Sequence, residues 1–256
     1  MSPGDTPLLE ARNVTKVYGN VNALAGVNFT LSGGEIVGLV GDNGAGKSTL
    51  VKTLCGAHSP SSGQILIDGA EVVFTSPKES REQGIEVVYQ DLALANELSV
   101  TENIFLGREI RRGGFLGRLM TMDRKAMHDS ARETLESLAI EIKDVETRCG
   151  MMSGGQRQAV AVARAIMWGS RILLLDEPTA ALAVAESDKI AGLVSGVKEK
   201  GVGVILVSHN LPQVYELCDR VVVLLRGRVV TELHRGQYSI EDLVSWITGA
   251  AMHKTS

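Results

Sequence analysis

Gly41-Asp42-Asn43-Gly44-Ala45-Gly46-Lys47-Ser48, followed by Thr49, lies between an apolar run, Glu35 to Val40, and a stretch from Ser48 to Cys55 with the spacing of a helix. The octet fits G-x-x-x-x-G-K-[ST] in the strand-then-helix setting that gives that pattern its meaning. Glycines let successive backbone N–H groups curl around phosphate oxygens, and the helix that follows points its positive dipole end at the same anion. Lys47 is thereby placed for the β- and γ-phosphates of a nucleoside triphosphate, and the Ser48 hydroxyl for Mg²⁺.

Further along, Ile172-Leu-Leu-Leu-Asp176-Glu177 is an apolar strand that delivers carboxylates to the sheet edge where open α/β folds bind ligands. Asp176 is expected to hold Mg²⁺, directly or through water. Glu177 is not needed as a first ligand and is placed to activate or orient the attacking water. With the glycine loop upstream, the pair predicts a P-loop NTPase core.

The rest of the chain fits that core. Strands are expected at Leu8 to Val14, Val27 to Leu31, Ile85 to Tyr89, Val204 to Ser208, Val221 to Leu225 and Arg228 to Leu233. Gly69 divides a hairpin formed by Gln64 to Asp68 and Glu71 to Phe74. Helices are expected at Gln156 to Trp168 and Ala185 to Lys200. Alternating strands and helices imply a mostly parallel, RecA-like sheet with helices on both faces, preceded by an N-terminal antiparallel β subdomain. From about Asp91 to Met152 the chain is more polar, with Met127, Ala131, Leu135 and Leu138 at helical spacing. This segment reads as an α-helical subdomain inserted into a core of about 1–90 and 153–256, the whole forming one domain. Arg111 to Gly117 reads as a loop.

The 256 residues suffice for a large hydrophobic core, and the 44% hydrophobic and 22% charged content is that of a globular chain. The 28 glycines, about 11% against a usual share of about 7%, fit tight turns and close approach to a ligand. A formal charge of −4 argues against a nucleic-acid partner. Apolar runs fall short of the roughly 20 residues that span a bilayer, and Met1 to Glu10 lacks a secretory signal. The expectation is a soluble, cytoplasmic chain. Cys55, Cys149 and Cys218 lack metal-ligand spacing and are expected to be small buried hydrophobes.

Ser153-Gly154-Gly155-Gln156-Arg157 opens the helix before the acidic strand, a second set of small residues at a helix start and so a second anion site. One nucleotide has no need of two phosphate cradles in one chain. The economical reading is that this one serves a neighbour's nucleotide, in a two-fold dimer that buries two nucleotides between Lys47 loops and Ser153 turns.

With these three elements the sequence resembles the ABC ATPase family over nearly its whole length. Met152 stands where the family's signature usually has Leu. The resemblance implies ATP and Mg²⁺ as cofactors and gives roles to lone residues. Tyr18 matches the aromatic that stacks on adenine, although the sequence by itself fits a packing tyrosine equally well. Gln90 matches the glutamine that senses Mg²⁺ and water and links to the membrane partner. His209 matches the histidine that contacts the γ-phosphate. His58, His128, His234 and His253 match nothing and are expected at the surface. Ala180-Ala181-Leu182-Ala183 lacks the acid of the family's usual S-A-L-D, a change at the loop through which two sites would signal.

Phe74 to Pro77, Gly84 to Gln90 and Leu98 to Glu109, with Gly41 to Thr49, look like the importers of ribose, xylose, fructose and similar monosaccharides. The resemblance implies a homodimer of single cassettes and transmembrane permease subunits. It also implies, indirectly, an extracytoplasmic sugar-binding protein, and a peripheral place on the cytoplasmic face of the bacterial inner membrane. An importer of a non-sugar small molecule is the alternative. Ribosome- or DNA-acting relatives, with paired cassettes and a basic linker or a long coiled coil, fit less well.

Overall fold

Ile36–Val40 (β3) is buried along its whole length and lies inside a six-stranded sheet of a computed structural model that describes residues 6–112, 122–180 and 182–251. The strand order is β10-β9-β3-β8-β7-β6, from Arg228–His234, Arg220–Leu225, β3, Gly203–Val207, Ile172–Asp176 and Ile85–Val88. Every pair is parallel except β9 with β10. Parallel strands covered on both faces need continuous apolar runs, and β7 and β8 are such runs.

Alternate residues of these strands feed two separate cores. Val37, Leu39, Leu174, Ile205, Val207, Val222 and Leu224 pack with Leu50 and Leu54 of α1 (Lys47–Leu54) and with Leu9, Leu24, Phe29 and Leu31. Ile36, Val40, Leu173, Leu175, Val204, Leu206, Val221 and Val223 pack with apolar side chains of the helices on the other face. The expectation of helices on both faces is therefore modified, because α1 shares its face with a second sheet. That sheet is antiparallel, in the order β2-β1-β4-β5, from Val21–Leu31, Leu9–Tyr18, Ser62–Ile67 and Ala70–Val72.

The β1–β2 hairpin runs further than its alternation predicts. Its distal half extends to Tyr18 and Val21, both exposed, so no buried face imprints a period of two on the sequence there. The β4–β5 turn falls where Gly69 predicts it, with Asp68 at φ 50° and Gly69 at φ 79°.

On the helical face, α5 (Gly154–Met167) and α6 (Val184–Glu199) pack on each other. α5 also packs against α3 (Val100–Phe105), α4 (Arg124–Ser137) and β6. Residues 91–112 and 122–152 are less helical than expected, holding α3, α4 and a short 3-10 turn at Cys149–Met151. Asn103 is the reason an irregular path is tolerated there. It is fully buried, and its amide donates to the carbonyls of Ala95, Leu98 and Ser99, supplying partners that a helix would have supplied. Arg111 and Arg112 are exposed, and Gly113 to Gly117 of the expected loop lie outside the described residues.

Three helices escaped the periodicity reading: α2 (Pro77–Glu82), α7 (Leu211–Leu217) and α8 (Ile240–Ile247). α7 crosses β3 closely, and a Cβ on Gly38 would fall 2.9 Å from Val214 Cγ1 and 3.0 Å from Cys218 Sγ. All three cysteines are free and buried. Among the described residues no helix is long and apolar enough to cross a membrane.

Candidate functional site

The loop from Gly41 to Gly46 leaves β3 and enters α1 in a shape that side chains would block. Gly41 has φ 153°, and a Cβ there would lie 2.3 Å from the Leu224 carbonyl oxygen. Gly46, at φ 110°, would place one 2.7 Å from the Ala23 oxygen. The loop is braced from outside, with Gly227 N–H donating to Ala45 O at 2.8 Å. Gly46 caps α1 with no side-chain hydrogen bond, so no side chain serves the N–H groups of the first turn. A helix start in that condition favours an anion.

Lys47 is buried, and its ammonium bends back over the loop to donate to Gly41 O at 2.7 Å and Asp42 O at 3.1 Å. Burial lowers its pKa, while the charges of Glu177, Asp42 and Asp176 oppose the shift. Ser48 and the Asp42-Asn43-Gly44 stretch are exposed on the open side, with Thr49 half-buried behind them.

Asp176 closes β7 between β6 and β8. Burial raises its pKa, and Lys52, Lys47 and His209 pull it back. Glu177 stands at φ 52°, a left-handed conformation costly for a non-glycine residue, of a kind that clusters at functional sites. Its N–H is held by Val207 O at 2.9 Å. Its carboxylate faces His209, whose backbone N–H donates to Oε2 at 3.2 Å and whose Nε2 lies 3.3 Å from Oε1. That second contact lacks hydrogen-bond geometry, so Oε1 is a buried acceptor without a hydrogen-bond partner. The His209 ring is more than half exposed.

Gln90 follows β6 and is exposed. It shares a cleft of about 320 Å³ with Gly154, Arg157, Gln158, Glu177 and Leu182. The cleft thus joins Gln90 to Glu177 and to the start of α5. At that start Ser153 Oγ accepts from Gln156 N–H at 3.2 Å, and Gln156 Oε1 accepts from Ser153 N–H at 3.0 Å. A larger groove, of about 1410 Å³, flanks Ser153, Gly155 and Gln156 on the side of α6. Lys47 lines neither space. The structure therefore gathers Lys47, Asp176, Glu177 and His209 around one loop, and the start of α5 shares its cleft with Glu177 of that group.

Tyr18 sits at the hairpin tip, 43% exposed, edge-on to His58 with ring centroids 5.8 Å apart. His58 is therefore more than a plain surface residue. Sequence reading also missed Gln158, buried with its Nε2 unpartnered, and the buried bond from Thr179 Oγ1 to Gln213 Oε1 at 2.7 Å that ties the loop after Glu177 to α7. Neither stands out by residue type. It missed Glu186 too, whose carboxylate lies against the Ser153 turn; Ala183 at the cap leaves no Ser, Thr, Asp or Asn three residues earlier to flag it.

A family model described as ABC transporter matches residues 24–180. The chain is 44% identical over 246 residues to the fructose import ATP-binding protein FrcA of Rhizobium meliloti, covering 95% of each chain. It is 43% identical to the xylose/arabinose import ATP-binding protein XylG of Sulfolobus acidocaldarius, covering 97% of each. Against the ribose import ATP-binding protein RbsA of Burkholderia pseudomallei it is 43% identical but spans 47% of that relative's length. Among solved structures, an ATP-binding cassette of an ABC transporter in its ADP conformation superposes with a TM-score of 0.82 at 25% identity, covering 98% of this chain and 99% of that one. A dimeric cassette in a post-hydrolysis state bound to ADP and phosphate gives a TM-score of 0.73 at 28% identity, covering 90% and 100%. The loop around Lys47, the acids that end β7 and these likenesses together make the chain a member of the ABC transporter ATP-binding cassette family, whose members are ATPases.

Proposed function

We propose that this cassette hydrolyses ATP to drive uptake of a monosaccharide through permease subunits. The observation that carries the reading is the convergence of the buried Lys47 ammonium with Asp176, Glu177 and His209 at one uncapped helix start. The likeness to fructose, xylose/arabinose and ribose import proteins supports the sugar.

Roles follow from position. Gly41 to Thr49 wraps the phosphates, with Lys47 exchanging its loop carbonyls for β- and γ-oxygens. The exposed ring of Tyr18 offers a face for adenine. Glu177 Oε1, buried and unpartnered, accepts a proton from the attacking water, and His209 keeps that carboxylate turned and faces the γ-phosphate. Ser48, Asp176 and Gln90 offer only oxygen donors, which suits Mg²⁺. That ion, when bound, would neutralise charge on the phosphates. No group of three or more His, Cys, Asp or Glu side chains able to hold a metal occurs among the described residues, so phosphate and water would complete its shell.

Ser153, Gly154, Gly155 and Gln156 serve the nucleotide of a second copy of the chain. The likeness to a dimeric cassette supports that sandwich. In this reading residues 1–90 and 153–256 form the catalytic core and residues 91–152 a helical lobe. Closure moves that lobe, and a permease segment beside Gln90 follows. The cassette then works peripherally at the cytoplasmic face of the cell membrane, with a sugar-binding protein on the far side.

Uptake of labelled monosaccharides and of non-sugar solutes, together with ATP turnover, is compared between wild type and Lys47→Ala at matched expression. Loss of uptake of one sugar is the expected outcome. Loss confined to a non-sugar solute would replace the sugar reading, and unchanged ATP turnover by the variant would overturn the site.

A further inference from the structure

Glu186 already occupies the turn that the sandwich reading assigns to a partner's phosphate. It is the third residue of α6, and its Oε1 lies 3.4 Å from Gly155 N as acceptor. The approach is close along the whole side chain. A Cβ on Gly155 would lie 3.0 Å from Glu186 Cβ and 3.2 Å from its Cγ and Cδ. Hydrogen bonding to Ser153, then to the Gly155 and Ala183 amides, keeps the carboxyl below its ordinary pKa and hence ionised. The turn therefore holds an anion of the chain's own.

α6 explains why this carboxylate is available. Ala183 caps the helix with no side-chain hydrogen bond, and the Glu186 carboxylate is shared between the Ala183 amide of its own helix start and the α5 turn beside it. Like charges repel, and one N–H cannot serve two anions at full strength. A γ-phosphate arriving at Ser153 and Gly155 must displace Glu186.

We propose that Glu186 is a positioning residue that holds the Ser153–Gly155 turn in a self-occupied state and competes with the γ-phosphate of a second copy's ATP. The proposal rests on the sandwich reading. It makes dimer formation weaker than the bare turn would allow, and it links entry of the partner's nucleotide to movement of the α6 start.

The test titrates the full chain with ATPγS and Mg²⁺ and follows dimer formation by light scattering, for wild type, Glu186→Gln and Glu186→Asp. The aspartate keeps the charge but shortens the reach. Both variants should lower the ATPγS concentration for half-maximal dimer by about fivefold, the low end of ordinary coupling between sites. ADP affinity, which reports only the Lys47 loop and correct folding, should stay at the wild-type value in both. A dimer whose ATPγS requirement is unmoved in both variants, or moved only in Glu186→Gln, overturns this proposal alone. A higher requirement in both would make Glu186 a support of closure and overturn it equally. Absence of any nucleotide-dependent dimer in all three chains overturns the sandwich reading, and this proposal with it.

Discussion

α1 and α5 both begin at glycine-containing turns, and the two beginnings are built in opposite ways. Gly46 leaves α1 without a side-chain cap, whereas Ser153 and Gln156 satisfy each other across the first turn of α5. The α1 loop is pinned at both ends, because Gly41 and Gly46 sit where backbone blocks a Cβ. The α5 turn meets only side chains, Leu182 against Gly154 and Glu186 against Gly155. The difference teaches which helix start waits for an external anion and which can stand without one.

Alanine at the glycines should break the symmetry most sharply. Gly46→Ala places a Cβ 2.7 Å from the Ala23 carbonyl at φ 110° and should cost about 2–4 kcal/mol of stability. Gly154→Ala meets the Leu182 Cδ2 at 2.9 Å, a side chain that can rotate, and gains helix propensity. Its cost should stay below about 1 kcal/mol. Urea unfolding of both variants decides the matter, and equal losses would show that the two turns are equally rigid.

Next in size are the polar contacts. Lys47→Ala should lower ADP and ATP affinity by about 10- to 100-fold, the worth of a charge-assisted contact. Ser153→Ala should leave ADP affinity unchanged while costing about 1 kcal/mol of stability through its lost cap. Calorimetric titration beside thermal melts separates the two. A loss of ADP affinity in Ser153→Ala would place both cradles on one nucleotide.

The same contrast explains what could be read from sequence. The Lys47 loop and β7 were legible because a buried apolar run and a backbone-dictated glycine pattern leave strict traces. β7 has the bounds its apolar run predicts, Ile172 to Asp176. The short helices α2, α7 and α8 were missed because six to eight residues carry too little periodicity. Their cap signals were present nonetheless, at Ser76-Pro77, Asn210 and Ser239 with Asp242. Glu186 was invisible for another reason. An exposed acid in a helix reads as a solvated face until tertiary packing sets α5 against it.

A smaller effect tests the uncapped start of α6. Ala183→Ser supplies the missing acceptor and should raise stability by about 0.5–1 kcal/mol. The other half of a reciprocal capping box, the Glu186 carboxylate on the residue-183 N–H, is already in place, so this variant should dimerise at the wild-type ATPγS concentration. Added stability with easier dimerisation would show that capping α6 draws Glu186 off the turn.

The smallest expected effect is in the acid limb of the stability curve. Glu186 has its folded pKa lowered from 4.5, first by Ser153 and then by backbone amides. A lowered carboxyl pKa adds stability that is fully present above the unfolded value and is lost as pH falls through the folded one. Wild type should therefore lose slightly more stability below about pH 4.5 than Glu186→Gln does. Ser153→Ala should flatten the same limb, because the hydroxyl is the largest cause of the shift. Denaturant melts across that range, with the double variant closing the cycle, show whether Ser153 and Glu186 act as one unit. Additive effects would mean that the carboxylate is held by the backbone amides alone, and the α5 turn would then differ from the α1 loop in its cap but not in its occupant.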